Sequence, residues 1–73
     1  MTFEEILPRL KEGEKIIRKG WSGCEIGVII VNEAVYEGKT VTPHFLIQTS
    51  DEGYSMFSPT VCDILAEDWQ VVV

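Results

Sequence analysis

The first apolar positions, Phe3, Ile6, Leu7 and Leu10, recur at intervals of three and four residues, with Glu4, Glu5, Arg9, Lys11 and Glu12 among them. That spacing predicts an amphipathic helix with one buried stripe. Thr2-Phe3-Glu4-Glu5 reads as its capping box, in which the Thr2 hydroxyl accepts from the Glu5 amide and the Glu5 carboxylate accepts from the Thr2 amide. Gly13 ends this helix, and Pro8, which lies past the first turn, is expected to distort it without terminating it. From Lys15 onward the period changes. Short runs rich in Ile, Val, Phe, Tyr and Thr predict strands at 15–19, 25–32, 40–42, 44–49 and 54–57. The turns Gly20-Trp21-Ser22-Gly23, Glu37-Gly38-Lys39 and Asp51-Glu52-Gly53 separate them and imply antiparallel hairpins. In the 44–49 run Phe45, Ile47 and Thr49 take one face and His44, Leu46 and Gln48 the other. Both faces are partly apolar, so a second layer or a partner must cover the outer one.

Ser58-Pro59-Thr60 reads as a second helix start, with Ser58 as N-cap and Pro59 at the first helical position. Val61, Ile64 and Leu65 are expected to supply its buried stripe, Asp63 sits where the macrodipole favours an anion, and Glu67-Asp68 discourages continuation. Residues 69–73 then form a closing strand. The expected fold is α+β, an antiparallel sheet with an N-terminal helix and a short helix before the C-terminal strand, all in one domain spanning 1–73.

Composition narrows the function classes. A 73-residue chain that is 45% hydrophobic and 25% charged is foldable and too short for a second module. A core of this size leaves only about 3–5 kcal/mol, so disulfides, a metal or self-association are the usual supplements. Cys24 and Cys62 come without a secretory signal, and a lone His44 without Cys-x-x-Cys spacing makes no structural zinc site. Self-association is therefore the leading supplement. No apolar run reaches the roughly 18 residues of a membrane helix, since Val28-Ile29-Ile30-Val31 is cut off by Asn32-Glu33. A cytoplasmic protein without cofactors is expected. Net charge is −6, but Arg9, Lys11, Lys15, Arg18 and Lys19 outnumber Glu12 and Glu14, making residues 9–19 net +3 and the remainder −9. Long nucleic acids should be repelled, whereas a compact basic strip can still receive one small anion.

No standard catalytic set is present: the chain has one histidine, no nucleophile elbow, no P-loop and no Gly-x-Gly-x-x-Gly. Asp63 and Glu67, four apart, are too few oxygen ligands for a hard cation. His44 reads as a packed or surface residue, and Cys24 as a buried, inert one despite Arg18 and Lys19 across the turn. More informative is Arg18-Lys19-Gly20-Trp21-Ser22-Gly23. A large flat ring in a tight turn must be covered by a stacking ligand, by a partner, or by its own core. The start of the second helix offers free amides and hydroxyls to an anion, or is simply capped. With Phe57 just before it, these residues make a candidate nucleotide pocket of stacking rings and phosphate-binding groups, Arg18 or Lys19 included.

Met1-Thr2-Phe3-Glu4-Glu5, the Arg18–Gly23 turn, Pro43-His44-Phe45-Leu46, and above all Phe57-Ser58-Pro59-Thr60 followed by Asp63-Ile64-Leu65-Ala66-Glu67-Asp68-Trp69 resemble the Thoeris anti-defense 2 family, small phage and prophage proteins. The resemblance implies a sponge and not an enzyme. Such a protein binds glycocyclic ADP-ribose, the signal of the Thoeris immune system, without cleaving it, and some relatives also hold cyclic di- or oligonucleotides. It further implies a homotetramer with pockets at subunit interfaces, where chain size and the two partly apolar sheet faces alone imply a homo-oligomer, a dimer at least. Trp21 carries over as the base-stacking residue, and Phe57, Ser58, Thr60 and Asp63 as pocket residues. Ser22, Phe57 and Thr60-Val61 depart from the Asn, Trp and Ser-Gln common in the family. The rival from another class is an acidic inhibitor that binds an immune effector, and a third is a small hydrolase of nucleotide signals.

Overall fold

Thr2 and Glu5 form the expected reciprocal cap in the computed structural model, which describes residues 1–73: the Glu5 amide donates to Thr2 Oγ1 (3.2 Å) and the Thr2 amide to Glu5 Oε1 (2.9 Å). The helix α1, Phe3–Lys11, runs on through Pro8. It stops where Gly13, at φ 98°, enters the left-handed region that glycine occupies without strain. After it come β1 (Ile16–Arg18), β2 (Glu25–Val31), β3 (Val35–Tyr36), β4 (Lys39–Thr40), β5 (His44–Thr49), β6 (Gly53–Phe57), α2 (Val61–Leu65) and β7 (Trp69–Val71). Five strands form one antiparallel sheet in the order β6-β5-β2-β1-β7, and β3 and β4 form a separate hairpin. The strand expected at 40–42 falls earlier. Glu37 and Gly38 both take positive φ, 53° and 78°, making a two-residue turn that pairs Tyr36 with Lys39 and Val35 with Thr40.

Register decides the core. Ile16 opposes Val28 and Val71, Val28 opposes Ile47, and Phe45 opposes both Ile30 and Phe57, so these side chains share one face. Ile6 and Leu10 of α1 press onto that face, and with Ile16, Val28 and Trp69 they are the fully buried hydrophobic core. Both helices lie on this side. The opposite face, with Ile17, Ile29, Val31, Leu46, Tyr54 and Met56, has no helix over it, and Tyr54 and Met56 are exposed. Lys15 crosses this face above Gly27 and donates to Gln48 Oε1 (2.7 Å); a Cβ on Gly27 would come within 2.5 Å of Lys15 Cγ, so the crossing requires glycine there.

The second helix corrects two expectations. Its N-cap is Thr60, not Ser58, because Thr60 finds a reciprocating partner three residues on: Asp63 accepts from the Thr60 amide (2.9 Å) and its own amide donates to Thr60 Oγ1 (3.2 Å). Ser58 would have had Val61 in that position. Its apolar residues also point the other way. Val61, Ile64 and Leu65 are 71%, 50% and 73% exposed, whereas Asp63 is buried. An ion pair from Arg18 to the Asp63 carboxylate and a hydrogen bond from Trp69 Nε1 to the Asp63 carbonyl (2.8 Å) fix the rotation of a helix too short to set its own. The closing strand ends at Val71, two residues sooner than expected.

The corrected cap is testable by thermal melts. Thr60→Ala should cost about 1 kcal/mol, the usual loss for an N-cap, while Ser58→Ala should leave the melting temperature nearly unchanged. The reverse order would return the cap to Ser58.

Candidate functional site

The turn after β1 is tied down at both ends. The Lys19 amide donates to the Asp68 carbonyl (2.8 Å), and the Trp21 amide donates to the Arg18 carbonyl (3.1 Å). The half-buried Trp21 ring lies edge-to-face on Trp69, with centroids 5.4 Å apart, and on Phe57 at 5.9 Å. Trp21 therefore packs on its own core and still presents surface. Phe57, half-buried at the end of β6, carries the chain directly into Ser58 and Thr60, both exposed. The sheet order that sets β6 three strands from β1 does not separate them, because the Trp21 turn reaches back over the core face to meet Phe57.

Arg18 and Asp63 are brought together as well, but as partners of each other. Arg18 Nη1 donates to Asp63 Oδ1 (3.0 Å) and Nε to Asp68 Oδ1 (2.9 Å), while Nη2 makes no hydrogen bond within the chain. Asp63 Oδ2 meanwhile accepts from the Thr60 amide and hydroxyl (2.9 and 3.0 Å). Of the two readings of the start of α2, an open anion site or ordinary capping, the structure shows the capped one. The helix has five residues, and a carboxylate of its own already accepts from the amide of its N-cap residue, Thr60. Lys19 is exposed and forms no ion pair, so it is the cation beside Trp21 whose charge is uncommitted.

Electrostatics follow from these contacts. Burial pushes the Asp63 carboxyl up, but the hydrogen bond from the Thr60 amide, those from Arg18 and the Thr60 hydroxyl, and the Arg18 charge together hold it below the ordinary aspartate value. Asp68 is lowered by its hydrogen bond from Arg18 and then by that from the Gly20 amide. Arg18 is raised by Asp68 and Asp63 in turn. Cys24 is exposed, not buried as expected, because its turn lies at the rim of the sheet; a hydrogen bond with Asp51 pushes its thiol up, away from the reactive thiolate. Cys62 is exposed too, and His44 Nδ1 lies 2.8 Å from the Thr42 carbonyl. No three His, Cys, Asp or Glu side chains converge as a metal site, and Asp63 and Glu67 gain no third ligand.

A shallow groove of about 650 Å³ runs along β7, where Arg9, Lys19, Glu67 and Asp68 border Trp69 and Val71. None of Arg18, Trp21, Phe57, Ser58, Thr60 and Asp63 lines it. One chain alone does not enclose the aromatic pair. Two residues that sequence reasoning did not single out complete the arrangement: Asp68 Oδ2 accepts from the Gly20 amide (2.8 Å), joining the Trp21 turn to the segment after α2. Separations of 45 residues from Arg18 to Asp63 and 50 from Arg18 to Asp68 leave no local signal by which to find this network.

Comparison with known proteins agrees with the resemblance. A family model described as a Thoeris anti-defense 2-like domain matches residues 1–72. The chain is also 29% identical over 89 aligned positions to Thoeris anti-defense 2 of Bacillus phage SP01, covering 99% of this chain and 94% of that protein.

The carboxylates predict an acid transition of known sign. Asp63 and Asp68 are depressed in the folded state, so they bind fewer protons than in the unfolded chain, and their stabilisation is present above the unfolded value near 3.9 and lost as pH falls below it. Thermal melts should hold steady from pH 7 to about 5 and fall steeply below about 4. In the Asp63→Asn/Asp68→Asn variant that fall should be shallower, and an equally steep fall would assign the transition to other groups.

Proposed function

The chain belongs to the Thoeris anti-defense 2-like family, and we propose that it acts by sequestering a cyclic nucleotide immune signal, glycocyclic ADP-ribose foremost, in the cytoplasm of the infected bacterium. An anti-defense role follows from the family. The sponge mechanism is favoured by one observation above others: the half-buried rings of Trp21 and Phe57 meet where the chain runs on into exposed Ser58 and Thr60, with Lys19, which forms no ion pair, on the same turn as Trp21. Flat apolar rings next to hydroxyls and a cation suit a base joined to phosphates. In this reading Trp21 stacks on the base and Phe57 borders it. Ser58 and Lys19 reach polar and phosphate oxygens, with Arg18 Nη2 available to the same anion, while Thr60, its hydroxyl held by Asp63, lines the pocket. Asp63 contributes from behind, by holding Thr60 and Arg18 in place. The carboxylate beside the Thr60 hydroxyl, Asp63, is held below the ordinary aspartate value and is a weak base, so in this reading binding leaves the ligand whole.

The pocket is completed by a second copy. Val61, Ile64 and Leu65 stand exposed directly after Thr60, and the open sheet face adds Tyr54 and Met56. A monomer with a five-residue hydrophobic core gains more from covering such surface than from leaving it in water. A dimer or tetramer burying α2 would also wall the side of the aromatic pair that one chain leaves open.

Calorimetric titration with glycocyclic ADP-ribose and with cyclic dinucleotides tests the assignment of Trp21. Trp21→Ala should weaken binding by roughly 1–3 kcal/mol, about five- to more than a hundredfold. Because the ring also packs on Trp69, Trp21→Leu, which keeps apolar volume there, should remain folded and lose affinity all the same. Unchanged affinity in a folded Trp21→Leu protein would remove Trp21 from the ligand site.

A further inference from the structure

Outside the aromatic pair, the one cluster that the proposed binding does not absorb is Arg18 with Asp63, Asp68 and the Gly20 amide. It spans three separate stretches of chain. Arg18 stands at the end of β1, Gly20 opens the turn that carries Trp21, Asp63 caps the helix that follows Ser58 and Thr60, and Asp68 precedes β7. Every link is short: Nη1 to Asp63 and Nε to Asp68 at 3.0 and 2.9 Å, and the Gly20 amide to Asp68 at 2.8 Å. The guanidinium thus holds two carboxylates at once, one at the start of α2 and one on the segment before β7. Asp68 in turn uses its second oxygen on the turn itself.

Gly20 shows that the fit is close. Its φ lies outside the left-handed region, so an alanine there would meet no backbone strain. A Cβ at Gly20 would nevertheless lie 2.8 Å from Asp68 Oδ2. Asp68 is a short side chain already fixed by Arg18 and cannot retreat without giving up one of its two partners. The glycine is present to let the carboxylate reach the amide.

We infer that Asp68 is a positioning residue: together with Arg18 and Gly20 it clamps the Trp21 turn against the start of α2, so that the aromatic ring and the hydroxyls are held in register before any ligand arrives. The inference rests on the binding reading above for its consequence, and on the geometry alone for the clamp. Preorganisation of this kind lowers the ordering cost of association, so loosening the clamp weakens binding while the sheet stays intact. Asp68 touches no ligand; it acts through the turn.

The experiment is a cycle of variants in the full chain, titrated with glycocyclic ADP-ribose and followed without ligand by amide hydrogen exchange. Asp68→Ala should weaken binding about tenfold, the scale expected for losing one charge-assisted hydrogen bond. Asp68→Asn, which keeps an acceptor for the Gly20 amide, should recover part of that loss. Gly20→Ala, which changes no charge, should weaken binding on its own and be silent once Asp68 is alanine, since the clash it creates is then gone. Additive losses would overturn the clamp. In the ligand-free arm, Asp68→Ala should strip protection from the Trp21 amide, which is bonded to Arg18 and not to Asp68, while Val28 in β2 keeps its own. A Trp21 amide that stays protected, or one that loses protection only in step with Val28, contradicts the inference. If the unaltered protein takes up no ligand, the binding reading fails and the exchange arm still decides the clamp.

Discussion

Arg18 and its two aspartates are the contact on which the rest of the structure turns. The side chain leaves β1 on the core face, beside Trp69 in the sheet register, at a place where an apolar residue would have been the simpler choice. Burying it demands partners. With 23% of the Arg18 side chain and 10% of the Asp63 side chain exposed, the pair is largely withdrawn from water, and removing one member would leave the other uncompensated. In a fully buried setting that costs about 3–5 kcal/mol, comparable to all the stability that so small a core can supply, and this partly solvated pair lies below that limit. The same contact sets the rotation of α2, fixes which of its faces meets water, and brings the segment before β7 against the Trp21 turn.

A consequence is that hydrophobic burial within one chain is incomplete. The sheet is covered on one side only, and α2 turns Val61, Ile64 and Leu65 outward because its inward face is committed to Asp63. In a larger domain such exposure would be an isolated irregularity. Here the buried hydrophobic core is five residues, and the uncovered apolar surface is the largest remaining source of stabilisation. The arrangement is coherent if stability and the ligand site are completed together by association of copies.

Local pattern carried most of the fold. The Thr2–Glu5 capping box, the stripe of Ile6 and Leu10, and the alternation at His44–Thr49 are each written within a few residues, and helix, strand and face follow from them. Where pattern failed, another partner had overruled it, three residues away for the cap and 45 residues away for the stripe. Ser58-Pro59 has the form of a helix start, but Asp63 reciprocates with Thr60; Val61, Ile64 and Leu65 have the form of a buried stripe, but Arg18 draws the opposite face inward. The candidate site was legible in the same uneven way. A tryptophan between glycines announces itself, and Phe57 is notable beside a helix start, yet their meeting at 5.9 Å depends on the course of the whole sheet. The link between Asp68 and Gly20 was invisible, since an aspartate after a glutamate and a glycine in a turn are ordinary features until the fold places them 2.8 Å apart.

The central claim is that this chain, assembled with copies of itself, holds a cyclic nucleotide signal intact. Native mass spectrometry of the protein mixed with glycocyclic ADP-ribose, followed by heat denaturation and mass analysis of what is released, addresses assembly, occupancy and chemistry in one sample. The account predicts a species at a multiple of 8.2 kDa carrying the signal, and recovery of that signal with its mass unchanged. A bare monomer with no bound mass, or release of a cleaved product, would contradict it.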